Sequence, residues 1–110
     1  MMHKDLAAGR WFELSLVEQL ANVGSDVIRT IKWKNKGNLD LSKKAFERAL
    51  ELLYLTVEDP KNRHRLKEIL RTREALIDYF MFDNEHSSSD ELWEKYFYAF
   101  NYAAALKRGL

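Results

Sequence analysis

Few residues in this chain combine a reactive type with a useful spacing. His3, His64 and His86 stand far apart, and none has a second histidine three or four residues on. No metal-ligating pair of that kind is formed. Glu-x-x-His, the signature of di-iron helical carboxylate sites, does not occur. Cysteine is absent, which removes thiolate nucleophiles, thiolate metal sites and disulfides. Ser87, Ser88 and Ser89 have no base placed beside them by sequence, and there is no glycine-rich phosphate loop. The strongest chemical grouping is Arg73 with Glu74 and Asp78. The two carboxylates are i,i+4 neighbours. Arg73 falls on the apolar stripe of its helix, where a buried guanidinium needs a partner. Glu13, Glu18, Asp26, Glu47 or Glu51 would supply a structural pair, or the long stem would reach water; a bound anion is the sharper alternative. No catalytic, metal or cofactor residue is assigned, and no cofactor is expected. The chain is read as non-enzymatic, with an enzyme acting on a small anion through Arg73, Glu74 and Asp78 as the third reading.

Binding surfaces are more prominent than catalytic ones. Residues 79–102 hold nine aromatic side chains in twenty-four. Trp93, Phe97, Phe100 and Ala104 share one helical face, and Tyr98 and Tyr102 lie about a hundred degrees away. One face of one helix cannot bury them all. Tyr54 and Leu55 form a similar excess further upstream. Tyrosine tolerates a wet edge and is common where chains meet, so Tyr54, Leu55, Tyr98 and Tyr102 are candidate interface residues, most simply in a homo-oligomer. Net charge is only +1, so no global field favours nucleic acid. Locally, residues 60–73 sum to +5 and residues 74–94 to −7. Lys61, Arg63, Arg65 and Lys67 are the candidate phosphate contacts. A second basic stretch, Arg29, Lys32, Trp33, Lys34 and Lys36, is expected to be offset by the acidic loop Asp83, Glu85, Asp90, Glu91 and Glu94. Trp33 is expected to pack.

These residues are positioned by helices. With one proline and four glycines in 110 residues, long helices are favoured. Val17, Leu20, Gly24, Val27 and Ile31 give the stripe of a first helix over 6–34, and Asp26 is placed outside that stripe. Gly24 is expected to allow close helix approach rather than a kink at Gly24-Ser25. Gly37 suits a left-handed helix end. A second helix over 42–57, capped by Asp40 or Ser42, buries Ala45, Phe46, Ala49, Leu52, Leu53 and Val57. Asp59-Pro60 opens a third over 60–81. Ser88 and Glu91 fit a capping box for a fourth over 89–107. The pattern predicts an all-α, up-down-up-down four-helix bundle in one domain spanning 1–110. No run of about 18 apolar residues or signal-like segment is seen, and a cytoplasmic protein without membrane contact is expected.

The segments 11-WFELSLVEQLANVGSDVIRTIKWKNKGN-38, 44-KAFERALELL-53, 71-RTREALIDYF-80 and 92-LWEKYFYAFNYA-103 resemble a family of small bacterial helical proteins. The resemblance implies a short, stand-alone helical protein and brings no activity and no site residue. The architecture also resembles that of the ribosomal intervening-sequence four-helix bundles. The arginine-to-histidine spacing of small helical ribonucleases of the HEPN type is absent. The favoured function is a self-associating interaction protein, or one binding a further protein partner, with nucleic-acid binding through residues 61–67 as the alternative.

Overall fold

Ser15 and Glu18 start the first long helix. The Glu18 amide donates to Ser15 Oγ (3.2 Å) and the Ser15 amide donates to Glu18 Oε1 (3.0 Å), a reciprocal cap that satisfies two otherwise orphaned donors. The computed structural model describes residues 9–109. Its long elements are α1 (Leu16–Asn35), α2 (Leu39–Glu58), a 3-10 segment (Pro60–Arg65), α3 (Leu66–Met81) and α4 (Asp90–Lys107). There is no strand among the described residues.

The single helix expected over 6–34 is therefore broken. Residues 9–11 are helical, residues 12–15 are not, and the expected start at residue 6 lies outside the described residues. The capping box is the cause, because it begins a new helix at residue 16. The break lets the chain fold back, so that Trp11 is buried and its indole donates to Thr56 Oγ1 (3.0 Å).

The other boundaries follow from caps one or two residues away from those expected. Gly37 takes the left-handed conformation (φ 79°) after α1, as expected. The Asn38 amide reaches back to the Trp33 carbonyl (2.9 Å). Asn38 then caps α2 through the Leu41 amide, so α2 starts before Asp40 and Ser42. Ser42 instead donates to the Thr30 carbonyl (2.9 Å) and ties α2 to α1. Asp59 and Pro60 do open a helical segment, but its first six residues are 3-10. Ser89, not Ser88, caps α4 through the Leu92 amide. The Ser88 backbone is bonded instead to the Asn84 side chain in the preceding loop.

Each consecutive pair of helices runs antiparallel. Ser42 meets Thr30, Phe46 meets Phe80 with ring centroids 5.0 Å apart, and Tyr79 meets Asp90. The ends of α1 and α4 also meet, at Lys34–Asp90 and Glu18–Lys107. α1 packs closely against both α2 and α4, whereas α3 stands further off. Small residues permit the close contacts. A methyl group at Gly24 would stand 2.6 Å from Phe97 Cβ, so α4 can sit at this distance only against a glycine. The wider gap beside α3 is filled by rings and by a hydrogen bond between Thr72 and Tyr96 hydroxyls (3.1 Å). Leu20, Val23, Val27, Leu53, Ile69, Leu76 and Phe97 form the sealed centre. No described helix is long and apolar enough to cross a membrane.

Candidate functional site

The grouping of Arg73, Glu74 and Asp78 does not form a buried site. Arg73 is exposed, which corrects the expectation of a buried ion pair or anion site there. The stripe of α3 runs through Ile69, Thr72 and Leu76. Thr72 takes the inward position, and Arg73 lies one residue past it on the flank. Asp78 is occupied with the loop after α3. Its carboxylate accepts from the Glu85 amide (3.0 Å) and the His86 amide (3.1 Å), and pairs with His86 Nδ1 (3.0 Å). Partial desolvation pushes the Asp78 pKa up, but the bonds from His86 and Glu85 outweigh it and hold the group below its ordinary value. The loop is thereby fixed, with Asn84 and Ser87 both at φ 53°. Among the described residues, no group of three or more His, Asp or Glu side chains is arranged to hold a metal ion.

The basic segment Lys61, Arg63, Arg65 and Lys67 is exposed throughout, yet half of its charge serves the fold. Lys61 Nζ donates to the Phe12 carbonyl (3.0 Å) and to the Asp59 carboxylate. Arg65 forms an ion pair with Glu68 (2.7 Å). Arg63 and Lys67 remain as outward cations. At the same end, Lys107 from the close of α4 reaches Glu18 (3.3 Å).

Behind that segment lies a buried polar cluster that the sequence did not suggest. Gln19 Nε2 donates to the Trp11 carbonyl (2.9 Å) and to Asp59 Oδ2 (2.8 Å). Asn62 Nδ2 donates to Gln19 Oε1 (2.8 Å) and to the Thr56 carbonyl (3.0 Å). Burial acts to raise the Asp59 pKa, but donors from Lys61 and Gln19 outweigh it and the net shift is downward. The cluster joins the folded-back segment, α1, α2 and the 3-10 turn. Its partners are mutually satisfied, which is the signature of a structural network rather than of a group awaiting substrate.

At the opposite end the expected charge offset occurs, but only in part. Lys34 pairs with Asp90 (2.8 Å), which also accepts from the Tyr79 hydroxyl (2.6 Å) and Asn35 (3.2 Å). Arg29, Lys32, Trp33 and Lys36 lie elsewhere. Asp26 is buried at 4% exposure rather than on the wet face. It is held by Arg29 (2.6 Å) and approached by Arg48 of α2 (4.0 Å). Burial raises its pKa, and the two guanidinium groups counter only part of that.

The aromatic excess divides in two. Trp93, Phe97 and Ala104 are buried, with Tyr96 and Phe100 packed beside them. On the outer side, Tyr98 and Tyr102 are 65% and 51% exposed, stacked on each other with centroids 6.3 Å apart. Leu92 and Leu106 share that outer side and are also exposed. Tyr54 is exposed on α2. Leu55 is not an interface residue: it is 4% exposed and part of the core. Leu55 is next to Thr56, the residue on which the folded-back Trp11 is anchored. No protein-family model, curated protein or solved structure matches the chain.

Proposed function

We propose that the chain is a non-enzymatic four-helix-bundle protein that associates with a second copy of itself through the outer face of α4. The observation that carries this reading is that α4 is apolar on both sides. Its inner side already fills the core. Its outer side presents Leu92, Ala99, Tyr102 and Leu106 in line, with Tyr98 and Ala103 beside them, all exposed. The spacings Leu92 to Ala99 and Ala99 to Leu106 are seven residues each, and Tyr102 completes a three–four step. That is the seam pattern of paired helices. Glu91 and Lys95 are the charges on this side.

Charge favours a second copy in antiparallel orientation. The start of α4 carries Glu91 and Glu94, and its end carries Lys107 and Arg108. Two such helices crossing near Ala99 place the acidic end of each beside the basic end of the other, and Leu92 beside the partner's Leu106. This is a self-complementary, two-fold contact. An 18-residue helix is about 27 Å long. Stable pairs typically bury ~800 Å² per partner, so the contact would draw on the flanks of α4 as well as its outer face.

The chain lacks cysteine, so single cysteines report the geometry cleanly. Under mild oxidation, Ala99→Cys is expected to form a disulfide-linked dimer, because the position meets its own copy near the two-fold axis. Leu92→Cys is expected to stay unlinked, because it faces Leu106 of the other copy. Equal linking at both positions, or none at Ala99→Cys, would overturn the arrangement.

A further inference from the structure

The second basic stretch has a different neighbourhood from the one its sequence suggests. Asp26, Arg29, Trp33 and Lys36 follow one another at spacings of three, four and three, so they occupy one stripe of α1. Arg48 reaches the Asp26 carboxylate from α2 (4.0 Å), while Arg29 holds its other oxygen. The Ser42–Thr30 bond fixes the antiparallel register of the two helices. Lys44, one turn before Arg48, lines a hollow on the outer side of α2 with Glu47, Arg48 and Glu51. Of the cations in the stretch, only Lys34 is drawn to the acidic end, where it meets Asp90.

Trp33 is half-buried rather than sealed. The ammonium groups of Lys32 and Lys36 stand 5.6 and 5.5 Å from its ring. Trp11 and Trp93 are both buried in the core, so Trp33 is the tryptophan among the three that reaches solvent. Acidic groups border the surface on its α2 side. Asp26 is beneath the two arginines, and Glu47 and Glu51 share a hollow of α2 with Lys44 and Arg48, so the cations of α1 beside Trp33 carry the net positive charge.

We propose that the outer surface where α1 meets α2 binds single-stranded nucleic acid, with one base stacked on Trp33 and phosphates held by Arg29, Lys32, Lys36 and Arg48. A single strand suits this surface better than a duplex. Its bases can leave the stack to reach a half-buried ring, whereas duplex bases cannot. The exchange is favourable in magnitude. An exposed cation–π contact is worth about 0.5–1 kcal/mol, and stacking of a base on an aromatic side chain about 1–3 kcal/mol. A base that displaces a lysine from the ring also frees that lysine for the flanking phosphate. Arg29 to Lys36 covers about 10 Å of helix axis, enough for contacts on more than one phosphate. α4 packs on α1 from the other flank, so this surface stays open whether or not α4 pairs with a second copy.

The test is fluorescence anisotropy with fluorescein-labelled fifteen-nucleotide oligo(dT) and oligo(rU), alongside a duplex of equal length. Intrinsic tryptophan emission is followed in parallel. Single strands are expected to bind at low salt and quench that emission. Affinity should fall with salt at a log–log slope of about −0.7 per phosphate contacted. Among the described residues, the ammonium groups of Lys32 and Lys36 lie over the Trp33 ring and form no hydrogen bond or ion pair, so their change breaks no polar bond of the fold. Lys32→Glu with Lys36→Glu should weaken binding at least tenfold, and Trp33→Leu should weaken it about tenfold and abolish the quench. Arg63→Glu with Lys67→Glu should leave it unchanged. No binding at low salt, binding indifferent to Lys32, Lys36 and Trp33, or tighter binding of the duplex would each overturn the proposal. Loss of binding only in the Arg63 and Lys67 variant would move the site to the other end and overturn it as well.

Discussion

Two buried aspartates show how burial alone fails to fix what a charge does. Asp59 is enclosed by donors, and its pKa is held below the ordinary 3.8 despite burial. Asp26 has fewer partners for its burial, and its pKa is raised. The linkage signs are therefore opposite. The Asp59 contribution is present above its unfolded pKa and is lost as pH falls through the lower folded value. Asp26 carries a cost above its raised folded pKa, and that cost is relieved as pH falls through it toward 3.8. At neutral pH, Asp59→Asn is expected to destabilise the fold by about 1–3 kcal/mol, because Gln19 and Lys61 lose their charged acceptor. Asp26→Asn is expected to be neutral or to stabilise by up to about 1 kcal/mol. The cations it frees, Arg29 and Arg48, are already 53% and 64% exposed and stay hydrated. Urea melts at pH 7 and pH 3 read both effects. The deficit of Asp59→Asn and the gain of Asp26→Asn should both be smaller at pH 3 than at pH 7, and equal losses at neutral pH would contradict the assignment. None of this was legible in the sequence. Gln19, Asn62 and Asp26 look like surface residues, because the partners that accommodate Gln19 and Asn62 lie about forty residues away.

At the scale of elements, apolar periodicity located the four long helices among the described residues, because the 3.6-residue repeat is a local property. The ends were less legible. Where Ser or Asn residues crowd together, as at Asn38 to Ser42 and Ser87 to Ser89, several caps compete, and tertiary bonds decide between them. Ser42 was taken by Thr30 and the Ser88 backbone by Asn84. The break before α1 was visible only as Ser15 followed by Glu18, a signal hidden within an apolar run. Gly24 was read correctly as a close-approach residue, although its contact proved to be Phe97 of α4. Gly24→Ala should gain about 1 kcal/mol of helix propensity. It must also move the Phe97 backbone, since the clash is with Cβ, at a typical overpacking cost of about 1–3 kcal/mol. A net loss is expected, lowering Tm by roughly 4–8 °C. A raised Tm would show that α1 and α4 separate freely.

At the scale of the whole molecule, the helices satisfy each other's inner faces, and the outer face of α4 stays apolar along its length. The basic and acidic blocks of the sequence do not face one another as blocks. They are parcelled into local pairs, Lys34 with Asp90, Lys61 with Asp59 and Arg65 with Glu68. Of the nine rings in residues 79–102, six lie in or against the core and three, Phe82, Tyr98 and Tyr102, are exposed, while Leu55 proved to be core. The exposed residues of α4, Leu92, Tyr98, Tyr102 and Leu106, are the basis of the pairing proposed for it. Light scattering on a sizing column tests it most directly, comparing the native chain with Tyr98→Glu combined with Tyr102→Glu. The account predicts twice 13.0 kDa for the native chain and a folded monomer for the variant. A native monomer, or an unchanged dimer in the variant, would contradict it.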